Sequence, residues 1–401
     1  FIFIKGTPPR PIISLDQMWG GLVNHSFRDL AENTKLQPLE MPLAEGATQF
    51  KMKTRITGHG HQSSTGTDPW CCEWHDNTHY LTVDGTQAAK WHVYTNEECR
   101  SNPVYPQGGT WPQEREGWCP GDLVRDRNFN ITSFVTNRNP LIDYAISPVP
   151  TDNPGMGNGD YKLSFYLVQY GPSSHAVDAE VYNVITPNSE EYYQRVNPIC
   201  SAPKVEIRNN GTTNLTSLKF SYSVSGGAAE NYSWTGNLAT NETMTVNLPV
   251  SGSDFWLGND EKRFTVSISE PNGQQDEYTE NDSYSTRFNL PDLIQKGMIF
   301  KYKTNSYPQL YTYQIKDMDG NVVMQRNGAA LAANKIYYDT LKYDAGCYTF
   351  TITEPEYGWG LSYWAVPAIG SGYVNIIEPG TNRVIKSFES NFGIRCVYNF
   401  F

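Results

Sequence analysis

The residues best suited to chemistry lie between Arg55 and Gly121. The stretch opens Arg55-Ile56-Thr57-Gly58-His59-Gly60-His61 and continues Cys71-Cys72-Glu73-Trp74-His75, with Thr78-His79 just after. Asn102-Pro103 and Trp111 follow, and it ends Arg115-Glu116-Gly117-Trp118-Cys119-Pro120-Gly121. A Glu between Cys72 and Trp74 has apolar neighbours. Burial there raises a carboxyl's pKa unless a cation or hydrogen-bond donors compensate, and Arg115 is the candidate cation. Trp74, Trp111 and Trp118 have apolar faces and polar edges, which suits stacking on sugar rings, with core packing as the competing role for each. On a strand, His59 and His61 face one side. Imidazoles so placed can hold zinc or copper, with His75 brought across the sheet as a third ligand. Hydrogen bonding within a cleft is the favoured role for them, and no metal or other cofactor is expected.

The elements that must position these side chains are strands. At about 150 residues per domain, 401 residues imply two or three domains. The chain has 26 Tyr, 10 Trp, 33 Gly and 25 Pro, a mix that favours strands joined by many turns. No apolar run approaches the roughly 18 residues of a membrane span. A net charge of −11 argues against a nucleic-acid partner, because phosphate needs a basic surface. The chain opens at Phe1 without a signal-peptide pattern and reads as a mature protein or a fragment. Seven Cys without a CxxC pair argue against a zinc knuckle and suit an oxidising compartment. Their odd number leaves one thiol over or bonded outside the chain.

The expected fold class is all-β. Residues 1–198 hold all seven His and four of the Cys. Pro198 and Pro203 then read as a linker. Residues 199–291 alternate cleanly at Lys204–Arg208, Leu218–Val224, Met244–Leu248 and Phe264–Ile268, the pattern of an immunoglobulin-like sandwich. Residues 292–401 repeat the pattern at Tyr311–Ile315, Tyr348–Ile352 and Tyr373–Ile377 and read as a C-terminal β-sandwich. Cys347 and Cys396 each flank a strand of this last region, which suggests a disulfide between them.

The motifs Gly58-His59-Gly60-His61, Cys71-Cys72-Glu73-Trp74 and Arg115-Glu116-Gly117-Trp118-Cys119-Pro120-Gly121 resemble, in order and spacing, those of the peptide-N-glycosidase F family. The resemblance covers roughly residues 1–170. It implies an eight-stranded jelly roll, with Glu73 and Arg115 as catalytic residues of a glycan-processing cleft. His59, His61, Trp74, Trp111 and Trp118 would contact substrate. It also implies a Cys99–Cys119 disulfide, closing a loop of about 20 residues and stabilising it by about 3 kcal/mol.

Two departures stand out. The family's site lies between two jelly rolls, its essential Asp coming from the first, and no region here resembles that first domain. The 401 residues alone are therefore expected to release no glycan. The family also places a Cys where His75 stands, so Cys71 or Cys72 must pair elsewhere, with Cys200 as one option, or stay free.

The later regions resemble modules of secreted Bacteroidetes proteins, which implies a secreted or cell-surface location and type IX secretion. The leading expectation is part of a secreted amidase acting on an N-glycan or glycoprotein. The alternative is a non-catalytic cell-surface protein, glycan-binding or structural, with other surface or secretion-system proteins as partners.

Overall fold

A computed structural model describes residues 8–60, 72–95, 99–102, 107–148, 159–190, 193, 199–200, 202–294 and 297–401. Its first sandwich holds β1 (Ile12–Ser26), β2 (Leu39–Glu40), β3 (Gln49–His59), β4 (Thr78–Val83), β5 (Thr86–His92), β6 (Arg127–Asn130), β7 (Leu141–Ile146) and β8 (Asp160–Tyr170). The sheets run β1-β8-β3-β6 and β2-β7-β4-β5. First pairs with last, second with seventh, third with sixth and fourth with fifth, all antiparallel. That is one long hairpin rolled into two facing sheets, a jelly roll.

The alternation of β8 shows why these residues make strands. Tyr161, Leu163, Phe165 and Leu167 point inward and are at most 1% exposed, while the residues between them face outward. Met52 and Ile56 of β3 and Leu81 and Val83 of β4 meet them in one core. A short helix, α1 (Phe27–Ala31), adds Phe27 and Leu30 to it, and the Ser26 hydroxyl caps its start by accepting the Asp29 N–H.

The second sandwich has β9 (Ala179–Thr186), β10 (Lys204–Asn209), β11 (Leu215–Val224), β12 (Glu230–Leu238), β13 (Thr243–Asn247), β14 (Arg263–Ser269) and β15 (Ser283–Arg287). Its sheets, β13-β10-β9 and β12-β11-β14-β15, enclose Phe220, Trp256 and Phe264 in an immunoglobulin-like arrangement. Here the structure differs from the sequence-based boundary at residue 198. The β9 strand, read from sequence into the first region, pairs with β10 and buries Val181 and Val184 in the second core. The Pro-rich stretch therefore lies between two neighbouring strands of one sheet, not between two domains.

The third sandwich comprises β16 (Met298–Lys303), β17 (Thr312–Asp317), β18 (Val322–Asn327), β19 (Ile336–Leu341), β20 (Tyr348–Thr353), β21 (Tyr373–Ile377), β22 (Val384–Ser387) and β23 (Arg395–Phe400). Its sheets are β19-β16-β21-β22 and β18-β17-β20-β23.

By contact density the chain forms two compact units. One is Arg10–Cys99 with Gln113–Ser174, and the other joins His175–Phe401 to the segment Arg100–Pro112. Within the latter, Met318 and Phe401 from the third sandwich pack on the second core. A Cys200–Cys347 disulfide, Cα atoms 5.5 Å apart, ties the same two sandwiches together. The Cys347–Cys396 pairing expected from sequence is thus corrected. Cys396 lies on β23 and packs in the third core, while Cys347 precedes β20 and bonds a residue 147 positions upstream. Strand-flanking position alone cannot reveal so distant a partner. Cys99 and Cys119 are bonded, with Cα atoms 5.1 Å apart.

Non-reducing peptide mapping should recover Cys99 linked to Cys119 and Cys200 linked to Cys347. A peptide joining Cys347 to Cys396 would contradict this fold.

Candidate active site

Three chain segments distant in sequence are laced together at the backbone of the jelly roll. The Gly58 N–H donates to the Glu116 carbonyl at 2.8 Å, and the Glu116 N–H to the Glu73 carbonyl at 2.9 Å. The N–H groups of Cys72 and Glu73 both reach the Gly60 carbonyl, at 2.9 and 3.0 Å. So close an approach needs glycine. A Cβ on Gly58 would sit 2.0 Å from the Cys72 carbonyl oxygen, and one on Gly117, which has φ +82°, 2.1 Å from that of Ile56.

On the outward side of this lacing, Arg115 Nε donates to Glu73 Oε1 at 3.2 Å. Its Nη1 donates to the Gln113 carbonyl at 2.8 Å. The guanidinium carbon lies 4.2 Å from the centroid of the Trp74 ring and 4.9 Å from that of Trp118, within cation–π range of both. Trp118 is itself fixed by its indole N–H, which donates to the Gly58 carbonyl at 2.9 Å. His59 stacks on Trp118 with ring centroids 5.5 Å apart and meets the Thr57 hydroxyl through Nε2 at 2.8 Å. Burial, and then the charge of Lys162, hold the His59 pKa below the usual imidazole value. The Arg115 side chain is only 5% exposed, whereas Glu73 is 18% exposed. The arrangement thus presents an immobilised carboxylate, oriented by a buried cation, to solvent. Such a group can accept hydrogen bonds from a sugar hydroxyl or position a water molecule.

On the inward side, Glu116 enters the core. Its Oε1 lies 2.9 Å from His79 Nε2, and His79 Nδ1 lies 2.7 Å from the Tyr144 hydroxyl. All three residues are at most 1% exposed. Burial, and then the charge of His92, push His79 down to about 3, so the imidazole is neutral. Burial, and then Glu116, hold the Tyr144 hydroxyl well above its ordinary value, so it keeps its proton. The tautomer follows: Tyr144 donates to Nδ1, and Nε2–H donates to the Glu116 carboxylate. The sequence motifs include His79 and Glu116 without a role for either, and Tyr144 is not among them. The available signal was adjacency, since consecutive residues of an extended segment point to opposite faces and Glu116 must be buried wherever Arg115 looks outward.

Of the residues singled out from sequence, Glu73, Arg115, Trp74, Trp118 and His59 come together. His61 and Cys71 lie outside the described residues. Trp111 does not join them. It belongs to the other compact unit and is wholly buried there, and a Cβ on Gly393 would lie 2.9 Å from its Cη2. The bare glycine backbone admits the indole, and no Trp111 face is left for a sugar.

Residues 26–168 match the family described as "Peptide-N-glycosidase F, C terminal". The matched residues lie within the jelly roll. A curated relative is peptide-N(4)-(N-acetyl-beta-D-glucosaminyl)asparagine amidase F of Elizabethkingia miricola, 27% identical over 119 residues that cover 29% of this chain and 33% of that protein. The match spans about a third of that relative's length. Among solved structures, PNGase F from Flavobacterium meningosepticum aligns with TM-score 0.32 and 19% identity, over 39% of this chain and 51% of its own. Ruminococcus gnavus beta-glucuronidase aligns with TM-score 0.26 and 9% identity, over 74% and 46% respectively.

Gly58→Ala should destabilise the jelly roll by about 2 kcal/mol or more, because the neighbour that must yield is backbone. Limited proteolysis of the variant would show this unit cleaved first, and wild-type resistance would refute the close-approach argument. His79 supplies a second expectation. Its folded pKa of about 3 lies below the ordinary 6.5, so its contribution to stability is present above pH 6.5 and lost as pH falls toward 3. By NMR its imidazole should remain neutral down to about pH 4.

Proposed function

We propose that the Glu73–Arg115 cluster is the glycan-facing part of an amidase site, and that this protein acts on N-glycoproteins at the amide joining the first sugar to Asn. The observation that carries this reading is the partly exposed Glu73 carboxylate held by Arg115, whose guanidinium lies against Trp74 and Trp118, inside a domain that matches that family. In the hydrolysis, water adds to the amide carbon and the C–N bond breaks. Aspartate and a glycosylamine form, and a proton from the water passes to the departing nitrogen. Glu73 would orient that water or accept a hydrogen bond from the first sugar, and Arg115 would fix the carboxylate. The base that activates the water would be an Asp of a companion jelly roll, as the family resemblance implies. The two disulfides among the described residues suit a protein working in an oxidising, extracellular setting.

Calorimetric titration with a glycopeptide carrying N,N′-diacetylchitobiose tests the site directly. The 401-residue chain should bind it without releasing the glycan. Glu73→Gln should weaken binding about tenfold or more, the loss of a charge-assisted hydrogen bond. Binding indifferent to Glu73→Gln would remove Glu73 from the site. Release by the chain itself, abolished in Glu73→Gln, would show that no companion carboxylate is needed.

A further inference from the structure

The strand that ends at the Glu73 cluster carries a row of cations on one face. On β3, Lys51, Lys53 and Arg55 alternate with the buried Met52, Thr54 and Ile56, so they share the outward face. His59, at the end of β3, lies at the head of this row. The Thr57 hydroxyl meets its Nε2 at 2.8 Å, and its ring stacks on Trp118 with centroids 5.5 Å apart. Opposite Thr57, on β8, stands Lys162, exposed and without an ion pair among the described residues.

Lys53 Nζ and Arg55 Nε share one carboxylate, 2.8 Å from Asp126 Oδ2 and 2.7 Å from Asp126 Oδ1 respectively. Asp126 holds both side chains in place while they stay 44% and 54% exposed. The guanidinium of Arg55 uses only Nε for this and makes no other hydrogen bond among the described residues. Its Nη1–Nη2 edge is left for a second carboxylate. Lys51 lies over the Tyr170 ring, 6.0 Å from its centroid. The face thus sets four cations, Lys51, Lys53, Arg55 and Lys162, against the carboxylates of Asp126 and Asp160, on a chain whose net charge is −11. Folding does not call for this, because like charges about 7 Å apart along a strand repel. An anionic ligand does.

We propose that this row is a binding track for an acidic, extended stretch of the glycoprotein's polypeptide, close to the glycosylated Asn. The inference rests on reading the Glu73 cluster as the glycan-facing site. The spacing selects polypeptide. Alternate side chains of an extended peptide also lie about 7 Å apart, so successive acids on one face would meet Lys162, Arg55 and Lys53 in turn. An acidic sugar at the tip of a glycan branch offers no such repeat. Arg55 precedes His59 by four residues, about 13 Å of strand, which puts the acids a few residues from the Asn.

Calorimetric titration of the full chain with four synthetic peptides tests this. They carry Glu at alternate positions beside the Asn, or Gln in their place, each with and without N,N′-diacetylchitobiose on the Asn. In low salt the Glu forms should bind about tenfold tighter or more than the Gln forms, the summed effect of a few exposed ion pairs. The gap should close at about 0.5 M salt, where screening leaves charges a reach of a few ångströms. Arg55→Gln combined with Lys162→Gln should abolish it, and both positions are exposed, so the core is untouched. Equal affinity of Glu and Gln forms, or a preference undiminished in the double variant, would overturn the proposal. So would a tenfold preference for a sialylated over an asialo glycan on the Gln peptide, lost in the same variant, since the acid recognised would then be the sugar's. A Glu preference that persists in sugar-free peptides while the disaccharide adds nothing would support the track and refute the glycan-facing reading of Glu73.

Discussion

Arg115 and Glu116 are consecutive, oppositely charged and almost fully buried, and the first sandwich is arranged around satisfying both. Extended backbone sends them to opposite faces, so no single partner can serve the two. Arg115 takes Glu73, the Gln113 carbonyl and the rings of Trp74 and Trp118. Glu116 takes His79, which is backed in turn by Tyr144. Removing one member of either set would leave a buried charge without compensation, which costs far more than the net worth of the contact. The outward carboxylate is therefore held by a network rooted in the core.

The jelly-roll topology makes that network possible. Rolling a hairpin pairs β3 with β6 antiparallel, so the chain after β3 and the chain before β6 emerge close together. Gly58 and Gly117 then let the backbones approach until the Cys72 and Ile56 carbonyls lie where side chains would otherwise be. The Cys99–Cys119 bridge joins the two ends of the segment between them, and Arg115 lies four residues before Cys119.

The second and third sandwiches satisfy their buried carboxylates differently. Glu354 is completely buried, and it accepts the N–H groups of Glu356, Tyr357 and Trp359 at 3.1, 2.9 and 2.8 Å. Backbone donors replace a cation there and fix the turn that stacks Tyr357 on Trp359. In the second sandwich the buried Asp276 accepts the Ala179 and Tyr278 N–H groups, and the buried Asp178 accepts from the Asn281 side chain.

The sequence by itself determined the all-β class, because period-two alternation and turn residues are local properties of strands. It also determined the Glu73, Arg115, Trp74 and Trp118 cluster, whose motifs are short, ordered and dense in residues that need partners. The Cys99–Cys119 bridge was legible from the family pattern that carries it. Only the tertiary structure decided what depends on contacts between distant residues. It moved β9 into the second sandwich, paired Cys347 with Cys200 rather than Cys396, and put Trp111 into the core beside Gly393. It also brought His79 and Tyr144 to Glu116, which nothing local to any of the three announces. Alternation says which way a side chain points, but what it meets there is set by sheet order and register, and those are fixed by packing of the whole sandwich.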